Sequence, residues 1–366
     1  MRRILIFGAT GSIGQQALSC IDDMQLVGIT FNNNLDLANQ IKNQYVNIEV
    51  FSPSKQDLNT VSSYEELIHK TKPDIILNAI VGFEGLYITK LSIENNIDIA
   101  LANKESLVIA GWYFNKILKN KNIKIYPVDS EHSSLYELMN YDCESIKRIY
   151  ITCSGGPFYK LEDINKLDVS FQSAINHPKW KMGYKISIDS SNLINKCFEL
   201  IEAHYLYNNV DIKAIYHPQA IIHSLVEFKN NSVLSNMSNP DMKISIDLAL
   251  HNFKKRDPKI DPIDFSNLNI NLENIDENKW KPIKWAYELI SSHFYIIGLI
   301  ISVLDDYLIE CFRTNKIKYN EIISIMDIFI EKYKLNNLST WDDILKWKQK
   351  ILNECKQYIE ENYGKN

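Results

Sequence analysis

The chain has 366 residues, 45% hydrophobic and 23% charged, with a formal net charge of −5. That length suits two or three domains with cores large enough to fold without staples, and the balance excludes wholesale disorder, a collagen-like fibre and a multi-span membrane protein. Glycine is the anomaly: 12 residues, far below the usual share of about 7%. Arg2, Arg3, Arg148, Arg256 and Arg313 are the only arginines, while Ile, Asn and Lys are heavy throughout. This pattern reads as codon drift in an AT-rich genome, and it makes each remaining glycine informative.

In chain order, Met1-Arg2-Arg3 resembles the start of a signal peptide, but the apolar run Ile4–Phe7 ends at Gly8, too short for one. Residues 3 to about 129 alternate strand-like runs (Ile4–Phe7, Leu26–Phe31, Ile75–Val81, Ile97–Leu101, Ile123–Val128) with amphipathic stretches, which predicts a parallel sheet covered by helices. Gly8-Ala9-Thr10-Gly11-Ser12-Ile13-Gly14 follows the first run and opens a helix. Glycines there permit a tight turn and let backbone amides approach a pyrophosphate at a positive helix end. A plain strand-to-helix turn also wants glycine, but three of so few within seven residues favour a nucleotide loop. After the second run, Asn32-Asn33-Asn34 carries neither an acid to favour NAD nor a base to grip a 2′-phosphate, so spacing leaves NAD and NADP open.

Asp129-Ser130-Glu131-His132 ends the last of these runs, where ligand crevices of open α/β sheets lie. Asp129 and Glu131 share a side of an extended chain. Arg148–Cys153 reads as a strand, followed by Ser154-Gly155-Gly156-Pro157, whose amides and hydroxyl suit an anion nest. A long helix pattern covers Ser191–Tyr207 and sets Asn195, Lys196, Glu199 and Glu202 on one face. Were that face to meet Asp129, hard oxygen ligands would suit Mg²⁺ or Mn²⁺; taken singly, each acid also fits a solvated surface. Ser190, Asn195 and Lys196 could add donors and a charge to the anion turn. Asn176–Lys185 looks like a loop, and Ile212–Tyr216 and Ala220–Phe228 like strands.

Residues 252–283, rich in Asn, Asp, Lys and Pro, read as a linker, and Trp285–Tyr363 is helical throughout. Phe294–Leu304 is broken by Gly298 and falls short of the roughly 20 apolar residues needed to span a bilayer, which indicates a buried helix. Six scattered cysteines without metal or disulfide spacing point to a reducing cytoplasm. Mild acidity without a basic stripe argues against nucleic acid, and Lys254-Lys255-Arg256 reads as a solvated loop. The expected architecture is α/β: an N-terminal Rossmann-like parallel sheet (1–129), an α+β catalytic domain (130–251), the linker (252–283) and a C-terminal helical bundle (284–366).

Taken together, GATGSIG (8–14), LANKESLV (101–108), PVDSEHS (127–133), SGGPF (154–158), HPKWKMGYKISIDSS (177–191), NK (195–196), ELIEA (199–203), HPQAIIHS (217–224) and PDM (240–242) closely resemble the 1-deoxy-D-xylulose-5-phosphate reductoisomerase family. The resemblance covers the first two-thirds of the chain, in family order. It implies metal-dependent, NADPH-linked rearrangement and reduction of 1-deoxy-D-xylulose 5-phosphate to 2-C-methyl-D-erythritol 4-phosphate, by retro-aldol, aldol and hydride transfer, in isoprenoid precursor synthesis. By position, Thr10, Gly11, Ser12 and Ile13 would hold the NADPH pyrophosphate, with Asn33, Asn34, Asn103, Glu105 and Gly183 completing the nucleotide site. Asp129, Glu131 and Glu199 would bind a divalent cation (Mg²⁺, Mn²⁺ or Co²⁺). Ser154, Ser190, Asn195 and Lys196 would take the substrate phosphate, and Lys104, Ser130, Glu131, His177 and Glu199 would line the reacting part.

Of these, Lys104, Glu131 and His177 are the implied catalytic groups. Residues 177–185 would form a mobile flap with Trp180 as its lid. The resemblance also implies a homodimer in the cytoplasm, acting on a small phosphorylated sugar, with no nucleic-acid or membrane partner. Three departures stand out: no base near Asn33, cysteines at 153 and 197, and bulky aliphatics around Ile300–Asp306. Another nicotinamide reductase of phosphorylated sugars, or a non-catalytic nucleotide-binding protein, would also account for the glycine loop. Neither would account for the acids and the Ser/Asn/Lys set matching one family.

Overall fold

The computed structural model describes residues 1–139, 145–160, 169–176, 183–208, 210–257 and 260–364. The chain opens with β1 (Arg3–Phe7), α1 (Ser12–Leu18), β2 (Gln25–Thr30), α2 (Leu35–Gln44), β3 (Glu49–Phe51), α3 (Tyr64–Thr71), β4 (Ile75–Asn78), α4 (Gly82–Glu94), β5 (Asp98–Leu101), α5 (Lys104–Leu118), β6 (Ile125–Pro127) and α6 (Ser130–Leu138). Next come β7 (Ile146–Cys153), α7 (Phe171–Ala174), α8 (Tyr184–Ser191), α9 (Ile194–Leu206), β8 (Asp211–Tyr216), β9 (Ile222–Phe228), β10 (Val233–Met237) and α10 (Met242–Leu250). β11 (Glu273–Asn274), α11 (Lys281–Ser292), α12 (Ile296–Arg313), α13 (Tyr319–Tyr333) and α14 (Trp341–Tyr363) complete it.

Two compact units result: residues 1–106, 114–141 and 241–262 form one, and 107–113, 142–240 and 263–366 the other. The first is the expected parallel sheet, in the order β3-β2-β1-β4-β5-β6. Its strands read as continuous apolar runs because both faces are covered. Along β1, Ile4 and Ile6 enter the core shared with α1 and α10, whereas Leu5 and Phe7 enter the opposite core with Leu67 and Ile88. β4 repeats this split, with Ile75 and Leu77 on one face and Ile76 on the other. A two-residue period delivers alternate side chains to opposite faces.

The second unit holds a mixed five-stranded sheet, β10-β9-β7-β8-β11, in which only β7 and β8 run parallel. α9 and α11 pack together, and α9 lies on β7 and β8. α12 buries Ile296 through Asp305 without interruption, so the apolar run at 294–304 is a core helix. Among the described residues no helix is long and apolar enough to cross a membrane, and the five described cysteines are free and buried.

The units depart from the expected boundaries. α6 and α10, expected in a catalytic domain, pack on the first sheet. The polar segment read as a linker divides near 262, and its β11 pairs with β8. The terminal helices join the second unit instead of standing apart, because α11 buries Ile283, Trp285, Ala286 and Leu289 against a core that includes α9. The helix expected over 191–207 is two helices: Leu193 adopts φ +65°, and the Asn192 side chain accepts a hydrogen bond from the Ile194 amide (2.9 Å). Tyr184 and Lys185 belong to α8, not to a loop.

Within α12, a Cβ at Gly298 would lie 2.2 Å from the Val108 carbonyl oxygen. Gly298→Ala gains about 1 kcal/mol of helix propensity, but backbone cannot retreat as a side-chain tip can, and overpacking costs about 1–3 kcal/mol. The variant is expected to lower the thermal midpoint; an unchanged or raised midpoint would show that the two segments have slack.

Candidate active site

In the first unit, all strands being parallel, the loops after β1, β4, β5 and β6 emerge at one edge of the sheet. The turn after β1 is fixed from both sides. Thr30, closing β2, accepts from the Gly8 amide through Oγ1 (3.0 Å) and from the Ala9 amide through its carbonyl (2.9 Å). Gly8 has φ +83°, and a Cβ on Gly14 would stand 2.3 Å from the Gly8 carbonyl oxygen. Only glycine lets α1 start this close to β1. No side chain caps α1, no acid stands in its first turn, and Gly11 and Ser12 are exposed. Free amide donors at the positive end of a helix are suited to an anion.

Asn34 accepts from the Leu37 amide (3.1 Å) as the cap of α2, while Asn33 is exposed at the end of β2. Asn103 and Glu105 are buried and tie the loop after β4 to the start of α5. The Asn103 amide donates to the Gly82 carbonyl and to Glu105 (both 3.0 Å), and Glu105 accepts from the Gly82 amide (3.2 Å). Asn78, Thr89 and Ser106 extend this network beneath them, with Thr89 and Ser106 hydroxyls 2.8 Å apart. Sequence reading missed Thr30 and these three residues; single polar residues in apolar runs carry no spacing signal.

The first helical residue of α5, Lys104, is ion-paired to Asp129, the residue that caps α6. Burial opposes ionisation of Asp129, but Lys104 and His132 outweigh it and hold the carboxyl well below the usual range. Asp129 also accepts from the Glu131 amide, and the Ser130 hydroxyl donates to Glu131 (2.6 Å). Lys104, Asp129, Ser130 and Glu131 thus meet at the edge that carries the glycine turn.

In the second unit, Ser154-Gly155-Gly156 follows β7. Gly155 and Gly156 have φ +81° and +60°, and a Cβ on Gly156 would stand 2.9 Å from the Ser191 Cα. The turn therefore lies directly against the end of α8, which carries Ser190. In the first turn of α9, Lys196 is buried, donates to the Thr152 carbonyl and pairs with Glu199, which also accepts from the Asn195 amide (2.6 Å). Ser154, Ser190, Asn195, Lys196 and Glu199 all belong to this unit. Gly183 caps α8 at an ordinary φ, and a Cβ there would meet nothing within 4 Å. His177 and Trp180, and with them most of the expected flap, lie outside the described residues.

Burial holds the His217 imidazole below its ordinary range, and its Nδ1 is bonded to the Asn271 carbonyl (2.9 Å). His223 bonds Ser238 (3.1 Å). Both are structural hydrogen-bonders. Cys153 and Cys197 are buried, and burial pushes the Cys197 thiol strongly up, leaving it unreactive. The chain's charged residues also include a cluster that sequence reading passed over, Lys185 with Asp189 and Asp305.

Family models described as 1-deoxy-D-xylulose 5-phosphate reductoisomerase and two versions of its C-terminal domain match residues 4–111, 125–207 and 237–353. The 1-deoxy-D-xylulose 5-phosphate reductoisomerase of Malacoplasma penetrans (strain HF-2) is 48% identical over 342 residues, 92% of this chain and 91% of that one. A crystal structure of DOX-P reductoisomerase with NADPH, fosmidomycin and magnesium superposes with a TM-score of 0.89 at 27% identity, over 98% of both chains. The Zymomonas mobilis enzyme with NADPH gives 0.84 at 27% identity, over 98% and 99% of the two chains. Matched along nearly its whole length by these family models and relatives, the chain belongs to the 1-deoxy-D-xylulose 5-phosphate reductoisomerase family.

Proposed function

We propose that the chain is an enzyme that converts 1-deoxy-D-xylulose 5-phosphate to 2-C-methyl-D-erythritol 4-phosphate, using NADPH and a divalent cation, in the supply of isoprenoid precursors. The observation that carries this reading is the Lys104–Asp129 pair, standing with Glu131 at the sheet edge that also bears the uncapped glycine turn. Family membership, and relatives whose structures hold NADPH and magnesium, support it.

The candidate metal ligands, Asp129, Glu131 and Glu199, are all carboxylates. A donor set of hard oxygens without sulfur or imidazole fits Mg²⁺ or Mn²⁺ and not Zn²⁺. When bound, such a cation supplies Lewis-acid polarisation of the substrate's carbonyl and hydroxyl oxygens. The chain's own groups do the rest. Lys104 keeps Asp129 ionised and holds a proton at Nζ that it can lend to a substrate oxygen; Glu131 is placed to accept one. Thr10, Gly11, Ser12 and Ile13 take the NADPH pyrophosphate, with Asn33, Asn34, Asn103, Glu105 and Gly183 around the rest of the nucleotide. Ser154, Ser190, Asn195 and Lys196, with the turn amides, take the phosphate end of the substrate, while Ser130, His177 and Glu199 line the reacting part. Residues 177–183, with Trp180, close over the substrate and exclude water, while Tyr184 and Lys185, expected in the flap, belong to α8. The enzyme works in the cytoplasm as a homodimer; edge strand β10, with Val233 and Leu234 about half exposed, is a surface available for pairing with a second copy.

Purified protein is expected to consume NADPH, read as loss of nicotinamide absorbance, only when the sugar phosphate and Mg²⁺, Mn²⁺ or Co²⁺ are both present. Absence of turnover with all three cations would overturn the assignment. Asp129→Asn should lower metal-dependent kcat by roughly 100-fold or more, by analogy with the losses that follow disturbance of a metal's surroundings, while the NADPH Kd stays within about twofold. Equal loss of both would refute the division of the site.

With no cation among Asn32–Asn34, these residues offer the NADPH 2′-phosphate no charge, and the pyrophosphate and ribose contacts that both dinucleotides make give no preference between them. Asn33→Arg should raise kcat/KM for NADPH about tenfold and leave NADH nearly unchanged, a charge-assisted hydrogen bond being worth about 1.5–3 kcal/mol. Parallel changes with both cofactors would place the 2′-phosphate elsewhere.

A further inference from the structure

Three charged side chains in the second unit take no part in the chemistry above. Asp305 is wholly buried in the middle of α12, whose buried side chains are apolar apart from Ser302 and Asp305 itself. Its Oδ2 lies 2.5 Å from Lys185 Nζ, and the same ammonium lies 2.9 Å from Asp189 Oδ2. Asp189 is also buried, one residue before Ser190. Asp306 stands farther off, 3.7 Å from the ammonium and half exposed. Among the described residues, two buried carboxylates therefore share one partly buried cation. Asp305 Oδ1 is buried and finds no hydrogen-bond partner among the described residues, a position that strongly disfavours a charged carboxylate.

This cluster is continuous with the anion turn. Lys185 and Asp189 lie one helical turn apart on α8, so the cluster fixes α8 to α12 along its length. At the end of α8 the Ser191 hydroxyl bonds the Tyr319 hydroxyl of α13 (2.7 Å), and Tyr319 packs edge-on against Phe158 (5.6 Å), just past the glycine pair. Gly156 has no room for a Cβ because Ser191 Cα and the Ser190 carbonyl stand 2.9 and 3.0 Å away. Any shift of α8 is passed to Ser190 and to the turn together.

We propose that Lys185, Asp189 and Asp305 are positioning residues for the phosphate end of the substrate: they clamp α8 so that Ser190 and the Ser154–Gly156 turn form one rigid anion pocket, and they do so in the state where the cluster carries no net charge. The inference rests on the assignment of that pocket to the substrate phosphate. With one cation and two carboxylates, neutrality requires one acid to hold a proton. Burial and the neighbouring Asp189 charge push the Asp305 carboxyl up to about 8, against the pull of Lys185.

Among the described residues, the other groups nearby do not replace that proton. α9 faces the cluster with the buried Cys197 thiol and α13 with the Tyr319 hydroxyl, both held neutral by burial. Lys348 of α14 bears on Asp306, and α11 turns Ala286 and Leu289 inward. As pH rises through the Asp305 value, the cluster goes from neutral to one uncompensated negative charge beside a pocket that must accept a phosphate dianion. The second pKa of a phosphate ester is about 6, so the substrate is almost wholly a dianion from about pH 7 upward and its charge changes little over this range.

The test is KM for 1-deoxy-D-xylulose 5-phosphate against pH, with saturating NADPH and Mg²⁺. In the native enzyme KM should rise about tenfold from about pH 7 to about pH 9, as a single titration near 8 dictates, while KM for NADPH stays within about twofold. Asp305→Asn and Asp189→Asn each leave one cation facing one anion, and each should flatten the profile to within about twofold. A merely structural role would shift KM equally at every pH. Native and variant profiles that rise in parallel, or a native profile that is flat, would overturn the inference even if one variant failed to fold. An enzyme with no turnover at any pH would instead overturn the assignment of function.

Discussion

A charge taken out of water must find an opposite charge, and that constraint organises the working parts of this protein. Lys104, Lys185 and Lys196 occupy the first turns of α5, α8 and α9. The helix macrodipole disfavours cations there by about 0.3–1 kcal/mol, so local propensity opposes all three. Each is held instead by a carboxylate: Asp129 for Lys104, Asp189 and Asp305 for Lys185, Glu199 for Lys196. A residue that breaks a local rule and is compensated elsewhere is the mark of a functional position. At Lys104 and Lys196 the compensating acids are themselves the candidate metal ligands, and at Asp129 the pairing holds the carboxyl well below the usual range.

The parallel sheet is what makes this affordable at one place. Every strand of the first unit ends at the same edge, so helix starts and strand-end loops from distant parts of the sequence meet without any long connection. The glycine turn after β1, Lys104 after β5 and Asp129 after β6 are more than 90 residues apart at the extremes, yet share that edge. Covering both faces with helices keeps the interior dry, and that dryness strengthens the pairs.

What could be read in the residues divides along physical lines. Runs long enough to show a period gave the right element: β1, β2, β4, β5, β6 and the terminal helices were all visible. β3 spans three residues and β11 two, and neither lies in a longer apolar run as the three-residue β6 does within Ile123–Val128, while β10 exposes Val233, Leu234 and Ser235, so it lacks a buried face. The break at Leu193 was invisible because its cause is a side-chain hydrogen bond to backbone from Asn192, while the apolar pattern runs straight through. Domain limits drawn from composition failed for a similar reason. α10 reads as part of whatever precedes it, and only packing against α1, α6 and β6 assigns it to the first sheet. The site was legible where backbone geometry demands glycine, at Gly8, Gly14, Gly155 and Gly156, and where the residue types matched a family; Asn103 and Glu105 proved to be bonded into the scaffold as well.

Buried ion pairs are weak contributors to stability, since desolvation offsets most of the attraction. α12, rich in buried apolar residues, packs against α8, α13 and α14, and a neutral residue at 305 would relieve a buried acid with an oxygen unpartnered among the described residues. The Lys185 cluster therefore adds little to the energy of the fold. What it adds is direction: apolar packing leaves a helix free to slide along or turn about its axis at small cost, whereas an ammonium 2.5 Å from one carboxylate and 2.9 Å from another tolerates neither. The same reasoning explains why bulky aliphatics at Ile300, Ile301 and Leu304 coexist with an acid in the next position. The aliphatics fill space, which many residues of similar volume can do. The acid fixes one orientation of α8, and with it the place of the Ser190 hydroxyl.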